Sequence, residues 1–166
     1  FITKRFFWYA SAYVENDFLQ NLKLRTAISS GPGYQFLERG DLKGIFKDMT
    51  FYAEAGPTYF NEDYRDNSIT ADRGSFRARV AMKWDWPLFD GRVTLYHYNE
   101  AFPSIQNSSD YFLTMDNGVR FKIWNGFTSG FQVTTRYNNT PPAGTGDTDN
   151  LYLLTLGYAF DTTRTR

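Results

Sequence analysis

The sequence predicts an all-β chain, an antiparallel up-and-down transmembrane β-barrel of about eight strands, and three observations predict it. Aromatic residues make up 19% of the 166 residues, yet mean hydropathy is −0.51, as expected of strands that alternate lipid-facing and water-facing side chains. Segment after segment alternates with period two, placing Arg and Lys on one parity and Phe, Trp, Val and Leu on the other. The connections predicted between these segments are alternately short and long.

Each element follows from its own pattern. In 6–15 the even positions (Phe6, Trp8, Ala10, Ala12, Val14) form the less polar set. In 22–36, Leu22, Leu24, Thr26, Ile28, Pro32, Tyr34 and Phe36 oppose Lys23, Arg25, Ala27, Ser29, Gly31, Gly33 and Gln35, and Pro32 weakens the ladder locally. In 49–60 the odd, outward set is Met49, Phe51, Ala53, Ala55, Pro57 and Tyr59. Residues 75–86 alternate most cleanly, with Phe76, Val80, Met82, Trp84 and Trp86 against Arg77, Arg79, Lys83 and Asp85. Ionised groups cost several kcal/mol in hydrocarbon, so the second set faces inward. Segment 92–102 conflicts with itself: Val93 and Leu95 favour odd-outward, while His97 and Asn99 on the same parity oppose it, and a bulge near His97 is expected. Residues 111–123 and 131–138 alternate plainly, with the hairpin dipeptide Asn125-Gly126 between them. The last strand, 150–160, carries Tyr152, Leu154, Leu156, Tyr158 and Phe160 on one face, and it resembles the aromatic-ended closing strand of bacterial outer-membrane proteins.

Composition excludes several function classes. Lys+Arg and Asp+Glu are equal at 18 each, which gives no basic field for nucleic acid. With one His and no Cys, neither a Cys/His zinc cluster nor a disulfide framework can form, and no metal or cofactor site is predicted. A single domain spans 1–166, and its start, Phe1-Ile2-Thr3-Lys4, reads as a piece of a longer precursor.

Two residue sets are candidates for function. The inward positions hold Lys23, Arg25, Arg77, Arg79, Lys83, Arg120, Lys122 and Arg136 against Glu15, Glu54, Asp85, Glu100 and Asp116. This is a mildly basic lumen, favouring anions if open and self-plugged if narrow. An aromatic girdle is expected from Trp8, Trp84, Trp86, Phe89, Trp124, Phe127 and Phe160 at one rim and Tyr59, Tyr64, Phe102, Tyr111 and Tyr137 at the other. On the proposed extracellular loops, Asp17, Glu62, Asp63, Asp66, Asp72, Asp110, Asp147 and Asp149 outnumber Arg65 and Arg73, which suggests either divalent-cation bridges to lipopolysaccharide phosphates or simple solvation.

Strings along nearly the whole chain together resemble one family. They are WYASAYVENDFLQNLKLRTAISSGPGYQFLE (8–38), FYAEAGPTYFNEDY (51–64), HYNEAFPSI (97–105) and NNTPPAGTGDTDNLYLLTLGYAF (138–160). The family is that of the salt-induced outer-membrane proteins (YdiY-like), a domain of unknown function. The resemblance implies a barrel in the bacterial outer membrane, with further N-terminal strands bringing the full protein to about twelve. It implies a non-enzymatic structural or small-pore role linked to salt or envelope stress. The partners it implies are outer-membrane lipids, lipopolysaccharide and the barrel-assembly machinery. It brings no catalytic residues. The alternatives are a lipid-modifying enzyme and a soluble lipocalin-like binder. The His97 segment is similar to part of the lipid A deacylase motif, but Asn99 stands where that motif has its nucleophilic Ser, and Ser104 or Ser11 would need another geometry.

Overall fold

A computed structural model describes residues 2–18, 21–66, 72–107, 109–124, 126–141, 144 and 146–158. Eight strands form one antiparallel sheet in chain order: β1 (Phe6–Asp17), β2 (Leu22–Leu37), β3 (Thr50–Tyr64), β4 (Arg73–Leu88), β5 (Val93–Pro103), β6 (Tyr111–Trp124), β7 (Phe127–Asn138) and β8 (Thr148–Tyr158). Every strand pairs with its sequence neighbours, so the expected up-and-down topology is present. β1 and β8 are the two edges of the sheet.

The sheet curls strongly. Arg136 on β7 reaches Glu15 on β1 at 2.9 Å, and the Arg25 guanidinium on β2 lies 5.3 Å from the Phe112 ring centroid on β6. Ala27, Phe60 and Phe102 form a small buried cluster against which Tyr13 and Phe112 pack. The inner surface is thus defined by side chains of β1 to β3 meeting those of β5 to β7.

Parity follows the sequence reading on most strands, because a slip of one residue would turn the apolar row inward and the charged row outward. On β2 the odd residues Arg25, Ala27 and Ser29 are buried while Ile28 is 68% exposed. Three departures have local causes. At the start of β2 a register shift between Leu22 and Leu24 turns Leu22 inward beside Tyr64 and leaves Lys23 exposed, so Lys23 is not part of the inner charge set. On β5 no bulge occurs: the pairing with β6 runs unbroken from Val93–Phe121 to Pro103–Tyr111. β3 extends to Tyr64 and β4 begins at Arg73, so the connection is shorter than the pattern suggested.

Glycines fit the curl. A Cβ at Gly31 would lie 2.2 Å from the Ala55 carbonyl oxygen, and one at Gly56 would lie 2.2 Å from that of Ser30, so β2 and β3 touch backbone to backbone. The Tyr9 ring extends across this gap, its hydroxyl 2.8 Å from the Gly56 Cβ position. Tyr96 covers Gly118 and Phe7 covers Gly33 in the same way, aromatic rings filling the space that the missing side chains leave.

At one end lie the β4–β5 turn, the β6–β7 turn and the β2–β3 connection; at the other lie the remaining loops. Phe89, Asp90 and Gly91 take φ of 52°, 52° and 77°, a left-handed run that reverses the chain within the four residues between the paired Leu88 and Val93. The Asn125 half of the other predicted turn lies outside the described residues, while Gly126 has φ of 86°. The β2–β3 connection, residues 38–49, is the exception to the short-turn pattern. It contains a 3-10 turn (Gly44–Phe46), and it folds back so that Phe46 stacks on Trp86 at 4.8 Å while the Trp86 indole donates to the Ile45 carbonyl.

Asp41 ties this loop to the residue that precedes β1: its two carboxylate oxygens accept from Arg5 at 2.8 Å each, and one accepts the Glu38 N–H at 2.9 Å. That backbone bond first, and Arg5 with it, hold the carboxyl below the ordinary aspartate range. A depressed carboxylate stabilises the folded loop above its unfolded pKa and loses that contribution as pH falls through the lowered value. Exchange of the Glu38 amide proton should therefore accelerate, relative to neighbouring loop amides, only in strongly acid solution. Asp41→Asn should abolish that pH dependence, and an unchanged profile would contradict it.

Candidate functional site: the inner charge array

Because the odd residues of β1, β2 and β4 and the even residues of β3, β5, β6 and β7 turn inward, charges from all of them meet in one concavity. At the long-loop end they form a continuous chain of ion pairs. Arg136 meets Glu15 at 2.9 Å, Glu15 meets Arg25 at 2.6 Å, and Arg25 meets Glu62 at 2.7 Å. Glu62 also accepts from Arg73, and Asp110 joins Arg73 at 3.8 Å to Arg77 at 2.9 Å. The chain crosses β7, β1, β2, β3 and β4. Arg25 and Arg77 also lie against the Phe112 and Phe60 rings, each at 5.3 Å, which fits guanidinium groups, more weakly hydrated than ammonium, for burial.

One level further along, Arg79 joins Glu54 at 2.8 Å to Glu100 at 3.0 Å. Its remaining nitrogen donates to the Tyr98 hydroxyl, which in turn donates to Glu100, and the Tyr9 ring lies 4.7 Å beneath the guanidinium. Asp116 receives a hydroxyl instead of a cation: Thr134 donates to it at 2.6 Å, Gln132 to Thr134, and Tyr96 to Gln132. Asp85 serves two cations, Lys83 at 3.3 Å and Arg120 at 3.7 Å. Buried charges need such pairing, since an isolated ion removed from water costs several kcal/mol.

The structure brings together Arg25, Glu54, Arg77, Arg79, Lys83, Asp85, Glu100, Asp116, Arg120 and Arg136 as the alternation predicts. It also corrects the balance. Glu62 and Asp110, assigned from sequence to extracellular loops as cation bridges or solvated acids, sit at 2% and 14% side-chain exposure and hold arginines, and Arg73 joins them. With Lys23 outside and these groups inside, the inner set holds eight basic and seven acidic residues, so the predicted positive excess of three falls to one. Strands running past their predicted ends hid Glu62 and Arg73: nothing in Phe60-Asn61-Glu62-Asp63-Tyr64 marks a boundary, yet the period-two parity from Glu54 through Thr58 to Glu62 was a usable signal. Among the described residues no cluster of three His, Asp or Glu groups is placed to hold a metal ion.

The outer surface carries the aromatic set. Trp8 is 61% exposed and Trp124 is 70% exposed; Tyr59 packs on Phe76 at 5.0 Å and Tyr111 on Tyr137 at 5.6 Å. Tyr64 and Phe102 do not belong to it, being buried inside at 7% and 5% exposure, and Phe160 lies outside the described residues. His97 faces outward. Its Nδ1 lies 2.7 Å from Asn117 Oδ1 and its ring stacks on Trp84 at 5.8 Å. That cross-strand bond satisfies the polar pair without a bulge, which is why β5 runs straight through the position where the pattern conflicts.

No curated protein and no solved structure matches the chain. One family model does match, that of the proteins of unknown function called DUF481, over residues 1–160, and the chain belongs to that family.

Proposed function

We propose that this chain is the wall of a bacterial outer-membrane β-barrel with a structural role, its interior braced at the long-loop end by ion pairs instead of held open as a wide channel. One observation carries the reading: charge is sorted to the inner surface, where each of Arg25, Arg73, Arg77, Arg79, Arg120 and Arg136 meets a carboxylate. The outer surface, by contrast, presents Ile28, Phe76, Val80, Leu154 and Leu156 at 52% to 80% exposure. A continuous apolar band of this kind is a liability in water and is what a bilayer requires. Lipid chains are then the partners of that band, lipopolysaccharide of the long-loop rim, and the barrel-assembly machinery of the nascent sheet. A role in salt or envelope stress suits a wall protein but has no residue to carry it.

The void among Arg25, Phe60, Glu62, Arg73, Arg77, Phe112 and Asn138 measures about 10 Å³, room for one water at most. Outer-membrane fractions should release the protein only with detergent, and the folded protein should migrate faster unheated than boiled on denaturing gels. In planar bilayers it should give no stable conductance. Extraction by salt or alkaline wash alone would overturn the membrane reading, and reproducible channels would overturn the braced interior.

A further inference from the structure

The long-loop end of the inner surface is electrostatically closed, but the short-turn end is not. Lys122, near the end of β6, and Arg92, at the β4–β5 turn, form no ion pair among the described residues, and the Lys122 N–H bonds the Arg92 carbonyl, which brings the two residues together. Arg120, two residues before Lys122 and hence on the same face, is 54% exposed, and among the described residues its one carboxylate contact is the 3.7 Å approach to Asp85, which is shared with Lys83. The Tyr96 ring, 4.3 Å from the Arg120 guanidinium carbon, supports its face and leaves edge donors free.

Two cavities open between these cations. One, of about 440 Å³, is lined by Arg92, Lys122, Ile123, Trp124, Gly126, Phe127 and Thr128. The other, of about 220 Å³, is lined by Gly91, Thr94, Arg120, Phe121, Lys122, Thr128, Ser129 and Thr155. Among the described residues neither lining contains a carboxylate, and Lys122 and Thr128 belong to both. A third cleft that Lys122 also lines contains Asp48 and Asp90 and offers an anion less. A Cβ on Gly91 would lie 3.7 Å from the Lys122 ammonium, so the cation rests over a turn backbone bare of side chain.

We propose that this end of the inner surface is a binding site for a phosphate group, with Lys122 as its central cation, Arg92 and Arg120 flanking it, and the hydroxyls of Thr94, Thr128 and Thr155 completing the polar lining. Tetrahedral phosphate oxygens match the chemistry present: a point-charge ammonium, guanidinium edges and the Thr94 hydroxyl, beside the Thr128 and Thr155 hydroxyls that donate to the Gly157 and Gly130 carbonyls, while the nearest acids, Asp85 at Arg120 and Asp48 and Asp90 in the adjoining cleft, lie outside both linings. A carboxylate ligand would use fewer of these donors. The site stands apart from the wall reading, since it depends on charge at one end of the concave surface and not on what covers the outer one.

The test uses the full chain folded in detergent micelles, titrated calorimetrically with inorganic phosphate in one arm and with dihexanoyl phosphatidic acid, a soluble lipid bearing the same headgroup, in the other. Saturable binding is expected in at least one arm, weakened tenfold or more in Lys122→Gln, preserved in Lys122→Arg and unchanged in Lys23→Gln, an exposed lysine at the far end. Tighter binding of the phosphatidic acid assigns the site to a lipid headgroup, and equal or tighter binding of inorganic phosphate assigns it to a free anion. No saturable binding in either arm, undiminished binding in Lys122→Gln, or an equal loss in Lys23→Gln would each overturn the proposal. Retained heat-modifiable migration in Lys122→Gln shows that the fold is intact.

Discussion

Replacing Arg25 with Met should destabilise the folded protein by about 3–5 kcal/mol, the usual cost of leaving buried charges without their partner. Arg25 has 7% of its side chain exposed, and it is the link between Glu15 and Glu62, which are 9% and 2% exposed. Its loss leaves Arg136 alone against Glu15 and Arg73 alone against Glu62, and cuts the chain of pairs in the middle. It also removes the guanidinium that lies over Phe112 and joins β2 to β6. The effect should be much smaller in the triple variant Arg25→Met with Glu15→Gln and Glu62→Gln, because the orphaned charges go with it. Urea midpoints of the refolded chain measure both. A loss under 1 kcal/mol for Arg25→Met would mean that water reaches these carboxylates and that the interior is wetter than the geometry implies. The contrasting case is Arg5 with Asp41, exposed at 37% and 28%, where removal should change stability little.

Gly31→Val should be at least as damaging, for a steric reason. A Cβ there falls 2.2 Å from the Ala55 carbonyl oxygen and 2.8 Å from the Gly56 Cα, and both are backbone atoms that no rotamer change can move. The β2–β3 ladder would have to part where Tyr9 bridges the two glycines. Overpacking of this kind costs typically about 1–3 kcal/mol and more when backbone must shift. Gly40→Ala is the control for backbone conformation without contact, since its φ of 93° is strained for alanine but nothing lies within 4 Å. We expect Gly31→Val to abolish heat-modifiable folding and Gly40→Ala to retain it, and equal behaviour of the two would sink the steric account.

The strands and their faces were legible because period two is a direct consequence of the pleat, and one face here is charged. Arg77, Arg79 and Lys83 on one side of Phe76, Val80 and Trp84 leave no other arrangement. What escaped the pattern depends on neighbours that only the register supplies. Whether His97 breaks its strand turns on Asn117 lying directly across from it, twenty residues away in the chain. The flip of Lys23 comes from a shift opposite Tyr64 that its own strand does not encode. Glu62 and Asp110 read as loop acids because acidic residues near a turn usually are, and only the register, which sets Glu62 directly across from Arg25, and the path of the β5–β6 connection, which brings Asp110 to Arg77, pair them with arginines. Tyr64 and Phe102 resembled rim aromatics for the same reason, although their partners Leu22 and Phe60 lie inside.

The order of pairing has a consequence in time. Since each strand bonds only to its chain neighbours, the sheet can grow one hairpin after another, each closing a short loop at small entropic cost. The contact between Glu15 and Arg136, 121 residues apart, belongs to no hairpin. It forms only when both flanks have been laid down and have swung toward each other, so that single pair is a clock hand for the last stage of assembly, silent while the hairpins are still being added.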